Sequence, residues 1–476
     1  MRAGPFIFIA AVFALPAAVA RGQSDAPPAG ASSPPQTSAA VTALPPPTAP
    51  VHARHTYSLK ECLGFAERNY PKVHEAAAQL ARMRAQVWEA KTAPYSLFTA
   101  SAGVTLAPTL SGTPVYSPNS DATITSSMAL AWRVGIDGAV PLWTFGKITS
   151  AVDAAEAQTK VGEQNVRKAK NEVKLSVRQA YYGTLLSRDA QALLNEALSR
   201  VDQYLPRVEE KVASGEGDDI QLLKLKIHHS ELEARRSEAE KQERIALASL
   251  RFLTGMGPDL DVPDEPLRKV PHQLGPITQY LTAARLFRPE INMAHAGILA
   301  RRALVALERA RYFPDLALAL SFSRSYAPEV ADQQNPFAYD LANFTRIGIG
   351  LVVNWNLDFL PRAAKVAQAE AQLEEIRATE RYALGGVGVE VETAYAEAQD
   401  AYKRLEAWTD AARYARQWLV KVQQGIDVGT FEDQDIVDPA KEYALRRFAQ
   451  MSATLDYNVA MAKLALATGW DAVAPE

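Results

Sequence analysis

Four segments of the chain alternate between apolar residues and small or polar ones, which is the period-two pattern of a β-strand with two different faces. They form two pairs, and a loop containing Pro and Asn separates the members of each pair. We therefore predict two β-hairpins, over residues 95–142 and 313–358. The apolar positions that define the four strands include Phe98, Ala100, Ala102, Val104 and Leu106; Ile124, Met128, Leu130, Trp132 and Ile136; Leu316, Leu318, Leu320 and Phe322; and Ile347, Ile349, Leu351 and Val353.

Most of the remaining chain has helical periodicity, with small residues frequent on the apolar seams. The pattern predicts helices over residues 58–92, 145–213, 218–253, 361–426 and 431–467. The longest of these would form rods of about 100 Å at ~1.5 Å per residue. Pro206, and the group Gly385, Gly386 and Gly388, are expected to interrupt or bend the two longest rods.

The body of the chain is a tandem duplication. We predict a first repeat over residues 57–270 and a second over 271–470, each consisting of a helix, a hairpin and two long helices, followed by a tail at 471–476. Matching residues follow the same order in both halves at offsets of 214 to 220; they include Leu63 with Leu281, Pro94 with Pro314, Gly135 with Gly350, Val177 with Val391, Gly215 with Gly429 and Gly255 with Gly469.

The first 56 residues differ in composition from the body. Residues 1–20 have the positive Arg2, an apolar core and a small-x-small ending at Ala20, which predicts a cleaved secretory signal peptide. Residues 21–56 are rich in proline, a composition that favours a disordered leader. The apolar run at residues 5–20 is too short to cross a bilayer as a helix, so a polytopic helical membrane protein is excluded.

Charge and reactive residues exclude several functions. Lys and Arg number 51 against 54 for Asp and Glu, a net charge of -3 that argues against a nucleic-acid partner. The single cysteine, Cys62, cannot form an internal disulfide. His228 and His229 are adjacent, without the i, i+4 spacing of a helical metal site. No catalytic set or nucleotide-binding motif is present, so we expect no enzyme activity, no metal and no cofactor.

At this point the hairpins fit either a soluble sandwich or a membrane barrel. Export, strand lengths near the ~9–11 residues needed to cross a bilayer, and aromatic residues at one end of the strands favour the membrane. Because open sheet edges are not tolerated in lipid, four strands would have to oligomerise. The long helices by themselves also fit a secreted or periplasmic structural coiled-coil protein without channel activity. The predicted interface aromatics include Trp143, Phe145, Trp355 and Phe359.

Several short motifs resemble the TolC-like outer-membrane efflux protein family, in order along nearly all of residues 57–470. Residues 58–71 resemble the opening helix of that family, and Arg288-Pro289-Glu290 the start of its second half. Residues 140–147 are similar to the segment in which the second strand returns to the helices. Residues 428–438 are similar to the periplasmic helical tip.

The resemblance implies an α+β membrane protein, in which four strands per chain complete a trimeric twelve-stranded outer-membrane β-barrel that a long α-helical periplasmic barrel continues. It implies a passive exit duct of a tripartite efflux pump or type I secretion system in the outer membrane of a Gram-negative bacterium. The implied partners are two further copies of the chain, a periplasmic adaptor (membrane fusion) protein, an inner-membrane RND, ABC or MFS transporter, and outer-membrane lipid.

Acidic residues crowd the turn between the last two long helices, at Glu432, Asp433, Asp435 and Asp438. By resemblance, Asp435 and Asp438 occupy positions of an acidic ring at the entrance of the tunnel. From the residues alone, a solvated acidic helix start is the alternative, since the helix dipole favours it.

The tip departs from the best-known family members, in which a Tyr, an Arg and an Asp clamp it shut. The matching positions here are Ile426, Phe431 and Gln221, so we hypothesise a hydrophobic constriction at Phe431 and Ile426 instead. The helix-tip turns are the predicted docking surface for the adaptor, at Gly215, Asp219, Gly429 and Asp433.

Overall fold

A computed structural model describes residues 55–95, 97–111, 123–215, 218–330, 339–340, 342–431 and 433–474. The predicted signal peptide and nearly all of the predicted leader, and Glu432 of the acidic turn, lie outside these residues. The strands are β1 (His55–Thr56), β2 (Leu97–Ser111), β3 (Thr123–Trp143), β4 (Leu260–Asp261), β5 (Asp315–Tyr326) and β6 (Phe344–Asn354). The α-helices are α1 (Leu59–Asn69), α2 (Pro71–Thr92), α3 (Lys147–Ala213), α4 (Asp219–Thr254), α5 (Ile277–Phe287), α6 (Pro289–Ala310), α7 (Phe359–Asp427) and α8 (Val437–Thr468).

Each repeat opens with two helices. The single helix predicted over residues 58–92 is wrong, because the chain breaks at Tyr70, which is extended (φ -67°, ψ 127°). Pro71 then occupies the first turn of α2, where its missing N–H costs nothing and where it disfavours helical backbone in the preceding residue. The same break occurs at Arg288, before Pro289, in the second repeat.

The two hairpins join into one antiparallel sheet with the order β2-β3-β5-β6. Strand β3 pairs with β5 from Trp132 opposite Tyr326 to Trp143 opposite Leu316. A register shift between Pro141 and Trp143 places Trp143, rather than Leu142, directly across from an apolar residue of β5. Among the described strands, none pairs with the outer side of β2 or β6.

The two longest helices run without interruption. Helix α3 continues through Pro206, and α7 through Gly385, Gly386 and Gly388, so the predicted interruptions are wrong. Helix α3 begins at Lys147 and not at residue 145, because Phe145 adopts a left-handed backbone (φ 51°). Helix α8 begins at Val437 instead of residue 431, after a short 3-10 helix at Asp433–Ile436.

Two equivalent apolar cores anchor the helices, one in each repeat. The first core joins α1, α3 and α4, and the second joins α5, α7 and α8. Val177 and Leu250 in the first, and Val391 and Leu464 in the second, are all fully buried. These pairs are 214 residues apart, so the duplication extends to the centre of each core. Helix α3 also packs against α6 and α8, and thereby links the repeats.

Both ends of the described chain pack against the body. His55 and Thr56, the last residues of the predicted leader, form β1 in parallel pairing with β4. At the other end Val473 and Ala474 are buried, and Arg178 donates a 2.6 Å hydrogen bond to the Ala474 carbonyl oxygen. The predicted tail therefore begins as a docked segment. In the part of the chain that the structure describes, no helix combines the length and hydrophobicity needed to cross a membrane.

Cys62 should be inert in the folded protein. Its side chain is fully buried, and burial, with a smaller contribution from the Glu61 charge, raises its pKa to about 12. Because the thiolate is the reactive form, alkylation by iodoacetamide at pH 8 should be roughly a thousand-fold or more slower than for an ordinary thiol. Mass spectrometry of native and urea-unfolded samples measures this difference, and rapid labelling of the native protein would contradict the burial.

Gly469 ends α8 with a left-handed backbone (φ +66°), and an added Cβ would lie 2.8 Å from the Phe287 carbonyl oxygen. Gly429 has a similar φ of +78°, but a Cβ there meets no heavy atom within 4 Å. Alanine costs about 1–2 kcal/mol at either position through backbone strain. We expect Gly469→Ala to lower the unfolding temperature, followed by circular dichroism in detergent, clearly more than Gly429→Ala does. An equal decrease in unfolding temperature for the two variants would show that the close contact with Phe287 does not destabilise Gly469→Ala.

Candidate functional site

The two faces of the four-stranded sheet differ sharply in chemistry. One face presents exposed apolar side chains such as Val104, Ile347, Ile349 and Leu351, with Ile349 74% exposed. The other face carries mainly small residues; they include Ser101, Gly103, Gly135, Ser321, Ser323, Gly348 and Gly350. A sheet that exposes its apolar face and has small residues on the other suits a wall between lipid and an open lumen.

The predicted interface aromatics gather where the strands meet the helices. The Trp143 and Phe145 rings lie 6.1 Å apart, and Phe145 stacks on Phe313 at 5.3 Å. Trp355 and Phe359 form the matching pair in the second repeat, at 6.3 Å. These rings are about half exposed. Phe145 makes these ring contacts from a left-handed backbone (φ 51°).

Lys147, the first residue of α3, fixes this junction. Its Nζ donates 2.8 Å hydrogen bonds to the Asp315 carboxylate and to the Phe313 carbonyl oxygen. The first long helix is therefore tied to the first residue of β5, across the boundary between the repeats. In the second repeat, Arg362 instead bonds Asp358, which precedes its own helix.

A second aromatic pair, which the sequence pattern did not single out, lies farther along the strands. The Trp132 and Tyr326 rings are 5.6 Å apart on the apolar face. Trp132 and Trp143 are eleven residues apart on β3, about 36 Å along the strand and about 28 Å along the normal at a tilt of ~40°. This spacing is close to the ~25 Å apolar band between the aromatic girdles of outer-membrane barrels.

At the opposite end of the helices, the turns after α3 and α7 have related geometry. Gly215 (φ +77°) donates to the Val212 carbonyl oxygen, and Gly429 (φ +78°) to that of Ile426. In the α7 turn, the Thr430 N–H also bonds the Gly425 carbonyl oxygen, which completes a Schellman cap. Such turns need a left-handed residue, which explains the matching glycines.

Phe431 folds back onto its own hairpin. Its ring covers Gly425 so closely that an added Cβ there would lie 2.2 Å from Cδ2. Phe431, Ile426 and Gln221 line one cleft of about 1970 Å³ between the α3–α4 and α7–α8 hairpins. The three positions that the resemblance matches to the polar clamp thus line the same cleft, and two of them are apolar.

The acidic candidates lie beside this cleft on the α7–α8 turn. Asp435 lies in the 3-10 helix and Asp438 in the first turn of α8, and both side chains are exposed. Residues three apart also align in a 3-10 helix, so both carboxylates can face one direction. On the other tip, Asp218 caps α4 by accepting a 2.9 Å hydrogen bond from the Ile220 N–H, while Asp219 is exposed.

The histidines take structural positions. His229 Nε2 lies 3.0 Å from an Asp202 carboxylate oxygen, which links α4 to α3. His228 lies beside Glu231 of its own helix. Within the described ranges, no group of three or more His, Cys, Asp or Glu side chains is arranged to hold a metal ion.

Comparison with known proteins agrees with this architecture. The family described as "Outer membrane efflux protein" matches residues 63–256 and 281–470, one match per repeat. The open-state Neisseria gonorrhoeae MtrE outer membrane channel is similar, with a TM-score of 0.70 at 17% identity over 86% of this chain and 88% of that one. The Campylobacter jejuni CmeC outer membrane channel gives 0.68 at 16% identity, covering 87% and 85%.

One curated relative is the cobalt-zinc-cadmium resistance protein CzcC of Cupriavidus metallidurans, 21% identical over 186 residues. That match covers 39% of this chain and 44% of the relative, less than half the length of either protein.

The family match covers both repeats, and the fold is that of outer-membrane channels, as the resemblance in the motifs implies. The predictions of the fold class, of an outer-membrane location and of a protein that is not an enzyme are therefore confirmed. The chain belongs to the outer membrane efflux protein family.

Proposed function

We propose that the chain is the outer-membrane exit duct of a tripartite efflux pump or a type I secretion system, working as a homotrimer. The observation that carries the proposal is the four-stranded sheet, which has an exposed apolar face and two edges that no strand of the described residues pairs. Such edges are costly in lipid, and three copies would supply twelve strands and pair every edge. The small-residue face then surrounds a lumen, and the helices continue the duct into the periplasm.

The helical tips are the part of the duct that reaches toward its partners. We propose that Gly215, Asp219, Gly429 and Asp433 mark the docking surface for a periplasmic adaptor protein. The adaptor would connect the duct to an inner-membrane RND, ABC or MFS transporter, which supplies the energy. A passive conduit needs no cofactor, and the transporter selects the substrate.

The tip itself would restrict passage by two means. Three copies of Asp435 and Asp438 around an axis form a ring of carboxylates, which focuses a negative potential on the opening. Three copies of Phe431 and Ile426 add an apolar constriction, which hinders ions by excluding water. The support for the second element is the common cleft of Phe431, Ile426 and Gln221.

The lipid-facing role of the apolar face can be tested with two neighbouring residues of β6. Leu351 lies on the apolar face and is 69% exposed, whereas Val352 lies on the small-residue face and is 47% exposed. An arginine facing lipid costs about 2–4 kcal/mol at the midplane and about 0–1 kcal/mol near the interfaces, and Leu351, two residues from the Trp143 row, lies between these depths. Leu351→Arg should lose the detergent-resistant trimer in outer-membrane fractions, measured by gel mobility and light scattering, while Val352→Arg keeps it. A soluble monomer of the unaltered chain, or equal tolerance of both changes, contradicts the proposal.

Recordings in planar bilayers can distinguish the contribution of the apolar constriction from that of the carboxylate ring. Phe431→Ala should raise single-channel conductance, because it removes an apolar side chain at the constriction. Asp435→Asn combined with Asp438→Asn should leave conductance similar but weaken block by a trivalent cation about tenfold or more, because the carboxylate ring is lost. Unchanged conductance in Phe431→Ala, with altered cation sensitivity in the double variant, would show that the hydrophobic part is wrong.

A further inference from the structure

Two arginines lie on the small-residue face, near the end of β5 and β6 that is farther from the helices, while β3 continues beyond Arg133 for ten more residues, to Thr123. Arg133 of β3 is opposite Ser325 of β5, and Ser325 is opposite Phe344 of β6. The three side chains therefore form one row on the same face. Arg346 lies on that face in the row of Ser323 and Gly135, two residues nearer the helices.

Both guanidinium groups meet on one aromatic ring. Arg133 Cζ lies 5.7 Å and Arg346 Cζ 5.2 Å from the centroid of Phe344. Arg133 reaches this ring across β5 because the intervening residue is the small Ser325. Arg346 is held further by a 3.0 Å hydrogen bond that it donates to the Tyr339 hydroxyl oxygen. Cation–π contacts of this length position the charges without neutralising them.

Neither arginine forms a salt bridge with a residue that the structure describes, although the exposed Glu329 lies in the turn that follows β5. Asp340, the acidic residue nearest in sequence to Arg346, accepts hydrogen bonds from Ala342 and Asn343 in its own turn. Through their shared ring, the two guanidinium carbons lie at most about 11 Å apart, so each experiences the charge of the other. An anion between them would relieve this repulsion.

The surroundings leave space for such an anion. An added Cβ at Gly103 or Gly350 would meet no heavy atom within 4 Å, so the face is open. The acidic residue on this face of β3, Asp137, lies four residues from Arg133, about 13 Å along the strand. The two rows that hold Arg133 and Arg346 on this face contain no carboxylate, and they present exposed arginine donors in the fork geometry that suits carboxylate, phosphate and sulfate groups.

We propose that Arg133 and Arg346, supported by Phe344, form an anion-binding ring toward the outer end of the duct, with six guanidinium groups in the trimer. Its ligand is a solute in the lumen that carries several carboxylate, phosphate or sulfate groups. The inference rests on the proposed trimeric duct, because a single copy supplies only two of the six charges. Rings of Arg or Lys favour anions in the same way in other pores.

The test uses inositol hexakisphosphate as a compact polyanion and two matched variants. Arg133→Gln with Arg346→Gln removes both charges from the lumen. Arg324→Gln is the control, because Arg324 lies at the same end of β5, next to Ser325, with its side chain on the apolar face. Binding is measured by calorimetry on the full-length trimer in detergent, and block of the channel in bilayers free of lipopolysaccharide, with the polyanion added to each side in turn.

The unaltered protein should bind the polyanion and be blocked from one side only. In the double variant, both affinity and block should fall about tenfold or more, while Arg324→Gln resembles the unaltered protein. Equal binding by the unaltered protein and the double variant, or an equal loss in Arg324→Gln, overturns the inference. A trimer that binds the polyanion through the two arginines but conducts no ions would instead contradict the proposed duct, so the two failures are distinguishable.

Discussion

The rest of the structure depends on the need to pair the backbone groups of the four-stranded sheet. Within the described chain, the outer sides of β2 and β6 have no partner strand. Each unpaired N–H or C=O group costs several kcal/mol in lipid. A sheet with an exposed apolar face therefore cannot be stable in a membrane as a single copy. The proposed trimer follows from this constraint, and the face of small residues becomes the wall of its lumen.

The duplication places both hairpins on the same support. Lys91 of α2 bonds Glu156 of α3 at 2.7 Å, and in the second repeat Arg309 of α6 bonds Glu370 of α7 at 2.6 Å. These exposed ion pairs contribute little energy, but they show that the short helix meets the long helix in the same register twice. Val177 of α3 and Val391 of α7, both fully buried, also occupy equivalent positions in the two repeats. Because β3 joins β5 inside the chain, the equivalent strand of the second repeat, β6, is left at an edge.

Much of this fold can be predicted from the sequence, because a strand with two unlike faces has a strong period of two and the helices a strong period near four. Breaks within a helix are harder to predict, because tertiary packing can keep a helix continuous through a residue that locally disfavours it. Proline in a helix costs about 3 kcal/mol, yet α3 continues through Pro206. It packs against α4, and long stretches of regular helix flank the proline on its N-terminal side. The prolines that do break helices, Pro71 and Pro289, stand at first turns.

Only part of the candidate site could be predicted, because the sequence does not show how neighbouring strands are aligned in register. Alternation along one strand shows which face a residue occupies, but not which residue of the next strand lies beside it. The shift between Pro141 and Trp143 moves an aromatic residue to the apolar face against the simple alternation. Likewise, Arg133 and Arg346 are more than two hundred residues apart, and only the pairing through Ser325 and Ser323 brings them to one ring.

The charged side chains toward the two ends of the proposed duct have opposite signs. Carboxylates cluster at the helical tip, at Asp435 and Asp438, and arginines at the end of β5 and β6 that is farther from the helices. A passing cation would be attracted at the first and opposed at the second, and an anion the reverse. A charged solute of either sign is therefore attracted at one end of the duct and meets an electrostatic barrier at the other. Fixed charges change the rate of passage but not the direction of net flow, so directional export requires work from outside the chain, which is the role expected of an inner-membrane transporter.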